Sequence, residues 1–261
     1  MMESDPVSVK PGGAAREAAS EQKGLTRQST LGTPALVDRT AALFRLEHAL
    51  SPLPAWRGAL FLAGSAPGMR QRLRGLAGLA LSRPMVGLDP TATRDLTWAM
   101  LKDLSEDRVE VLGRDWAVDH VLPTLRPEAR RLVDDCRAQG RVLVLLSENI
   151  TPVAAAVGAA LGFDVVVSNT LTLRDGAATG ALEPPVVGPE IDPRRLRALA
   201  ATHGFDLARS CAYGGAGADG LLLSSVGLPC AVDPDRALAR VARDLDWPVL
   251  HTSPVDGASN R

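Results

Sequence analysis

The chain has 261 residues, 46% of them hydrophobic, and its 29 basic and 30 acidic side chains leave a formal charge of -1. That length supports one sizeable core with an insertion, or two small domains. The balanced charge excludes a global field that would draw the chain to nucleic acid or to an anionic membrane, so any partner is recognised locally.

Met1 to Ser29 mixes Pro, Gly, Ser, Lys and Glu without an apolar stretch that could form a signal-peptide core. Residues 1–30 are expected to be a disordered tail. Apolar runs such as Leu76–Leu81 and Val153–Leu161 fall short of the roughly eighteen residues a spanning helix needs. A soluble, cytoplasmic protein without membrane insertion is expected. Cys136, Cys211 and Cys230 show no metal-ligand spacing and read as reduced core residues.

Apolar runs at Ala35–Val37, Val142–Leu146, Val165–Val167, Cys211–Tyr213 and Cys230–Val232 read as short strands buried on both faces. Helical patterns alternate with them: Pro127–Gln139, Pro152–Leu161 closed by Gly162, and Pro193–His203 closed by Gly204. Strand alternating with helix implies a doubly wound parallel sheet, an α/β fold. The interval from about Leu46 to Asp119 breaks the rhythm, with helix-like stretches at Trp56–Leu62, Arg70–Leu81 and Thr91–Leu104 and no convincing strand. It is expected to be a helical cap over 46–119, inserted after the first strand of a core built from 31–45 and 120–261. Ligands of such sheets sit at the carboxyl ends of the strands, which selects Asp38, Ser147, Asn169 and the loop Gly214–Asp219.

These strand ends resemble the haloacid dehalogenase-like phosphatases, in particular the phosphoserine-phosphatase-like branch with its Rossmann-like core and helical cap. The resemblance runs from about Pro34 to Leu250. It rests on Val142–Ser147 with Glu148-Asn149, Leu171–Gly176 with Thr179-Gly180, Ala212–Asp219, Val226–Asp235 and Trp247–Leu250, taken in order. It implies attack of an aspartate on a phosphate monoester, with a second acid two residues later, a hydroxyl and a lysine for the phosphate, and magnesium held by carboxylates.

On this resemblance the nucleophile falls on Asp38 and the motif DxDxT on Asp38-Arg39-Thr40-Ala41-Ala42. Thr40 then stands at the acid position, a loss on the order of 10²- to 10⁴-fold in rate, and Ala42 lacks the motif's hydroxyl. Ser147, with Glu148 and Asn149, matches the phosphate-binding position. Asp192 stands where the lysine is expected, turning attraction for phosphate into repulsion. In the metal loop Gly215 replaces the primary carboxylate while Asp219 remains, so Asp38 and Asp219 are the only metal ligands implied and magnesium binding is expected to be weak or absent.

The same loop also satisfies G-x-G-x-x-G through Gly215, Gly217 and Gly220, with Asp233 at the end of the next strand, the outline of a nucleotide-binding fingerprint. Arg70, Arg72, Arg74 and Arg83 make the cap locally basic. The leading expectation is a phosphatase fold whose catalysis has decayed, a pseudophosphatase acting as a binding or regulatory module for a small phosphorylated molecule or a protein partner. The alternatives are an active phosphatase or phosphotransferase through Asp38, and a nucleotide-binding protein using the glycine loop. Oligomeric state is not legible in the sequence.

Overall fold

The computed structural model describes residues 39–65 and 90–252, by backbone alone at 90–93. Its centre is a six-stranded parallel sheet of β1 (Ala41–Arg45), β2 (Val142–Ile150), β3 (Val165–Asn169), β6 (Cys211–Gly214), β7 (Leu228–Val232) and β8 (Val249–Leu250). The order is β3-β2-β1-β6-β7-β8. β1 is the inner strand on which the sheet is registered, with Leu43 opposite both Val144 and Ala212. A separate antiparallel hairpin, β4 (Leu171–Arg174) and β5 (Ala177–Leu182), follows β3.

The apolar runs Val142–Leu146, Val165–Val167, Cys211–Tyr213 and Cys230–Val232, predicted as strands, lie in the sheet, because both its faces are covered and no alternation with polar residues is required. On one face Ala42, Phe44, Leu143 and Leu145 enter a core shared with Leu62, Trp98 and Trp116. On the other face Ala41, Leu43, Val144 and Leu146 pack with Leu196, Leu222 and Leu238. The helices at the first face are α1 (Ala55–Gly64), α2 (Pro90–Ala99), α3 (Glu106–Trp116), α4 (Pro127–Ala138) and α5 (Thr151–Leu161). The second face carries α6 (Pro193–His203), the single turn α7 (Gly220–Leu223) and α8 (Arg236–Asp244). Gly162 and Gly204 end α5 and α6 in the left-handed conformation, φ 69° and 67°, as their sequence positions predict.

Some expected elements lie outside the described residues, and two described elements are new. The first described strand is Ala41–Arg45, whereas Ala35–Val37 lies outside the described residues. Trp56–Leu62 and the first part of Thr91–Leu104 are helical as expected, while Arg70–Leu81 also lies outside them. α3 and the β4–β5 hairpin were not predicted; Leu171–Leu182 is too polar and too short-stepped for a buried strand signal, being held by its own antiparallel register and by a bridge from Ser105 to Ala177. Cys136 and Cys211 are buried free thiols, and Cys230 is half-buried. Among the described residues no helix is long and apolar enough to cross a membrane.

Candidate functional site

The shift of the first strand moves the site. Its carboxyl end carries Arg45, followed by Leu46, Glu47, His48 and Ala49, so the DxDxT frame set on this strand falls on Arg45-Leu46-Glu47-His48-Ala49. Asp38 lies outside the described residues. Thr40 precedes β1 at the amino end of the sheet, where its carbonyl accepts from Val142 N–H, and Ala42 is buried within the strand. Neither belongs to the carboxyl-end cluster. The signal was present in the apolar run Ala41–Phe44 ending in charge; seeking an aspartate hides it, because arginine occupies the place.

Ser147, Glu148 and Asn149 do come together, around a carboxylate of the chain itself. Glu47 Oε1 accepts from Ser147 Oγ at 2.7 Å, from Asn149 Nδ2 at 2.8 Å and from Glu148 N–H at 3.1 Å; the same N–H lies 3.2 Å from Oε2. Asn149 N–H donates in turn to Ser147 Oγ at 3.0 Å, which fixes the hydroxyl. Three donors converging on one point make an anion-binding nest, and charge-assisted bonds to it are the stronger kind. Glu47 is 1% exposed, so the nest is filled from within.

Arg45, also 1% exposed, supplies the positive charge. Its Nη2 donates to Glu148 Oε1 at 2.7 Å, its Nε lies 3.0 Å from Asp219 Oδ1 without hydrogen-bond alignment, and its Nη1 reaches the Gly188 carbonyl at 3.4 Å. Burial works against the guanidinium charge, but Asp219, Glu47 and Glu148 together outweigh it and raise the Arg45 pKa. One cation cannot satisfy three carboxylates. Burial, with the charges of Glu47 and Asp219, pushes Glu148 up to about 7 although Arg45 pulls it down. Burial likewise raises Asp219, against Arg45 and the N–H groups of Ala216 and Gly215.

The remaining predicted positions have local structural roles. Gly215 packs beneath the loop after β1: a Cβ there would lie 2.5 Å from the His48 carbonyl oxygen and 3.0 Å from that of Val232, so a side chain has no room. His48 itself has φ 68°, in the left-handed region. Arg126 clamps this loop, bonding the His48 carbonyl through Nη2 at 3.2 Å and Asp233 through Nη1. Asp192 faces its own helix, capping α6 by accepting from Arg194 N–H at 2.7 Å, so the expected repulsion of a phosphate is replaced by a cap. The N–H groups of Gly215 and Ala216 both go to Asp219 Oδ2, at 2.8 and 3.0 Å, and Gly217 N–H goes to Asp235. In the glycine loop these three donors are therefore engaged within the chain, and Asp233 is engaged by Arg126. Asn169, another strand end, is buried in structural bonds to Glu148 and Val187.

Above the site lies a cavity of about 330 Å³. Arg45, Glu148 and Asp219 form its floor, and Trp56 and Trp98 from α1 and α2 contribute to its wall. The floor brings charged side chains to the strand ends of a parallel sheet, beneath helices that lie between β1 and β2 in the chain.

The sequence profile of the haloacid dehalogenase-like hydrolases matches residues 38–220, and the chain belongs to that family. Within it the chain is phosphoserine-phosphatase-like: it is 32% identical over 116 residues to a phosphoserine phosphatase of Idiomarina loihiensis, covering 44% of this chain and 53% of that one. It is 35% identical over 153 residues to the inhibition of morphological differentiation protein of Streptomyces azureus, covering 58% and 55% of the two chains. The chain thus spans about half the length of these curated relatives. A solved protein of unknown function from Bordetella pertussis shares the fold with a TM-score of 0.70 and 26% identity, over 81% of this chain and 98% of that one.

Proposed function

We propose that this chain is a pseudophosphatase, a binding or regulatory module on a phosphatase fold. One observation carries the reading: Arg45, the residue at the end of the central strand, is a buried guanidinium paired to Glu148 and Asp219. A guanidinium keeps its proton in proteins and cannot attack phosphorus, so an aspartyl-phosphate has no carboxylate to form on at that position. Glu47 in the nest repels an incoming phosphate dianion from the donors that would hold it.

The donor set also does not fit magnesium. A hard cation takes near-octahedral oxygen ligation, whereas here a fixed positive charge lies 3.0 Å from Asp219, Asp219 Oδ2 is committed to two N–H groups, and Gly215 leaves no space for a second carboxylate. Arg45 and Glu47 together reproduce the charges of a cation and a bound anion without either ligand. Similarity to a protein named for inhibition of morphological differentiation supports a regulatory rather than a metabolic role.

The test is phosphate release from a panel of phosphate monoesters with and without magnesium, beside Asp38→Asn. No release above the control is expected. Turnover near 1 s⁻¹ or faster, roughly an ordinary enzymatic rate, contradicts the reading, and its loss in Asp38→Asn would point to Asp38 as the nucleophile.

A further inference from the structure

The cavity over Arg45 outlives the chemistry it would have served. Its charges decide what it can take. Glu47, Glu148 and Asp219 bring three carboxylates to the floor against the single guanidinium of Arg45. On the wall, Arg94 donates through Nε and Nη2 to Asp95 Oδ1 at 3.0 and 2.8 Å, so its charge is already compensated. His48 is the other titratable group lining the space. An anion meets a floor with surplus negative charge and a donor nest already filled by Glu47.

The uncharged lining is of a different kind, with the indoles of Trp56 and Trp98 beside Pro54 and Pro189. Indole faces attract cations, most strongly where water is excluded. Glu148 is the floor carboxylate that keeps some contact with solvent, its side chain being 19% exposed against 2% for Asp219.

We propose that this cavity binds a small organic cation, an alkyl- or arylammonium or guanidinium compound, whose charge rests against Glu148 and whose apolar body lies against Trp56 and Trp98. The proposal builds on the pseudophosphatase reading, since it needs the nest to stay filled and the site free of phosphate. A volume of about 330 Å³ fits a ligand of modest size. Burial and its two acidic neighbours hold Glu148 up to about 7 against the pull of Arg45, so the cation favours its ionised form and binding below pH 7 releases up to one proton. Arg45, Glu47, Asp219, His48 and Arg94 are the charged or titratable groups around it.

The experiment is titration calorimetry of the full chain with phenethylammonium and phenylguanidinium, and with phenyl phosphate as the anionic counterpart. The ammonium or guanidinium probe is expected to bind, about tenfold more tightly at pH 8 than at pH 6, as follows for a ligand that needs a group of pKa about 7 ionised. Glu148→Gln is expected to lose at least about tenfold in affinity and the pH dependence with it. Trp56→Ala, at an exposed residue, keeps the test open if Glu148→Gln fails to fold, and is expected to weaken binding several-fold. Absence of binding by either cation up to about 10 mM, or binding indifferent to pH and to both substitutions, overturns the proposal. If phosphate release is absent at the same time, only the cation proposal falls; magnesium-dependent release overturns the pseudophosphatase reading instead.

Discussion

On the pseudophosphatase reading, Arg45 and Gly215 are the two positions that close the site. Arg45 is the main cationic partner of both Glu148 and Asp219, and removing one partner of a buried ion pair leaves the others largely uncompensated. Arg45→Ala is expected to lower unfolding stability by about 3–5 kcal/mol in urea titrations at pH 8, where its partners are most ionised. A loss below about 1 kcal/mol would mean the pair is not formed. Restoring the family's carboxylate at Gly215 should also fail, because the His48 carbonyl stands 2.5 Å from where its Cβ would go. Gly215→Asp is expected to cost about 1–3 kcal/mol by overpacking and to gain no thermal stabilisation from magnesium. The sequence places Ser147 in β2 and Gly215 and Asp219 after β6, because the apolar runs before them mark those strands. Arg45 and Glu47 were not legible, because a motif is found through its aspartates, and the search settles on Asp38 when the aspartates have become arginine and glutamate.

Among the elements, β2, β3, β6 and β7 were legible through their unbroken apolar runs, as in Val142–Leu146, whereas the two-residue edge strand β8 was not. The helices α5 and α6 were legible through their closing glycines. The β4–β5 hairpin was not, since its pairs, three to eleven residues apart, shift register between Leu171 and Leu173 and carry little apolar pattern. β7 is placed by a close approach of backbones: a Cβ on Gly227 would meet the Ala208 carbonyl oxygen at 1.8 Å, while Gly227 N–H bonds the Leu207 carbonyl at 3.0 Å. Gly227→Ala must move one of these two backbones and is expected to destabilise by about 3 kcal/mol. Calorimetric melting checks this, and an unchanged midpoint would contradict the packing of β6 beside β7.

For the whole molecule the acidic floor sets a pH dependence. Glu148 has its pKa raised from the ordinary 4.5 to about 7 in the folded chain, so the native state binds more protons than the unfolded state between those values. Its contribution is therefore fully present below pH 4.5 and is lost as pH rises through 7; Asp219, also raised, acts in the same direction. Asp233 runs the other way: burial raises it, but the bonds from Thr252 and the charge of Arg126 leave it below its ordinary 3.8, so its contribution is lost only in stronger acid. Stability measured in denaturant is expected to fall from pH 5 to pH 7.5, and Glu148→Gln to flatten that slope. A rise over the same interval in the native chain would contradict the three-carboxylate floor.

The arrangement as a whole is a phosphatase core that carries its own cation and its own anion, and the most direct test is whether it still accepts theirs. Beryllofluoride with magnesium mimics the aspartyl-phosphate only where a carboxylate nucleophile and a metal site meet. Fluorine NMR of the full chain with both present is expected to show free beryllofluoride alone; a stoichiometric, magnesium-dependent bound signal would show that a working nucleophile and metal site exist and would contradict the pseudophosphatase reading.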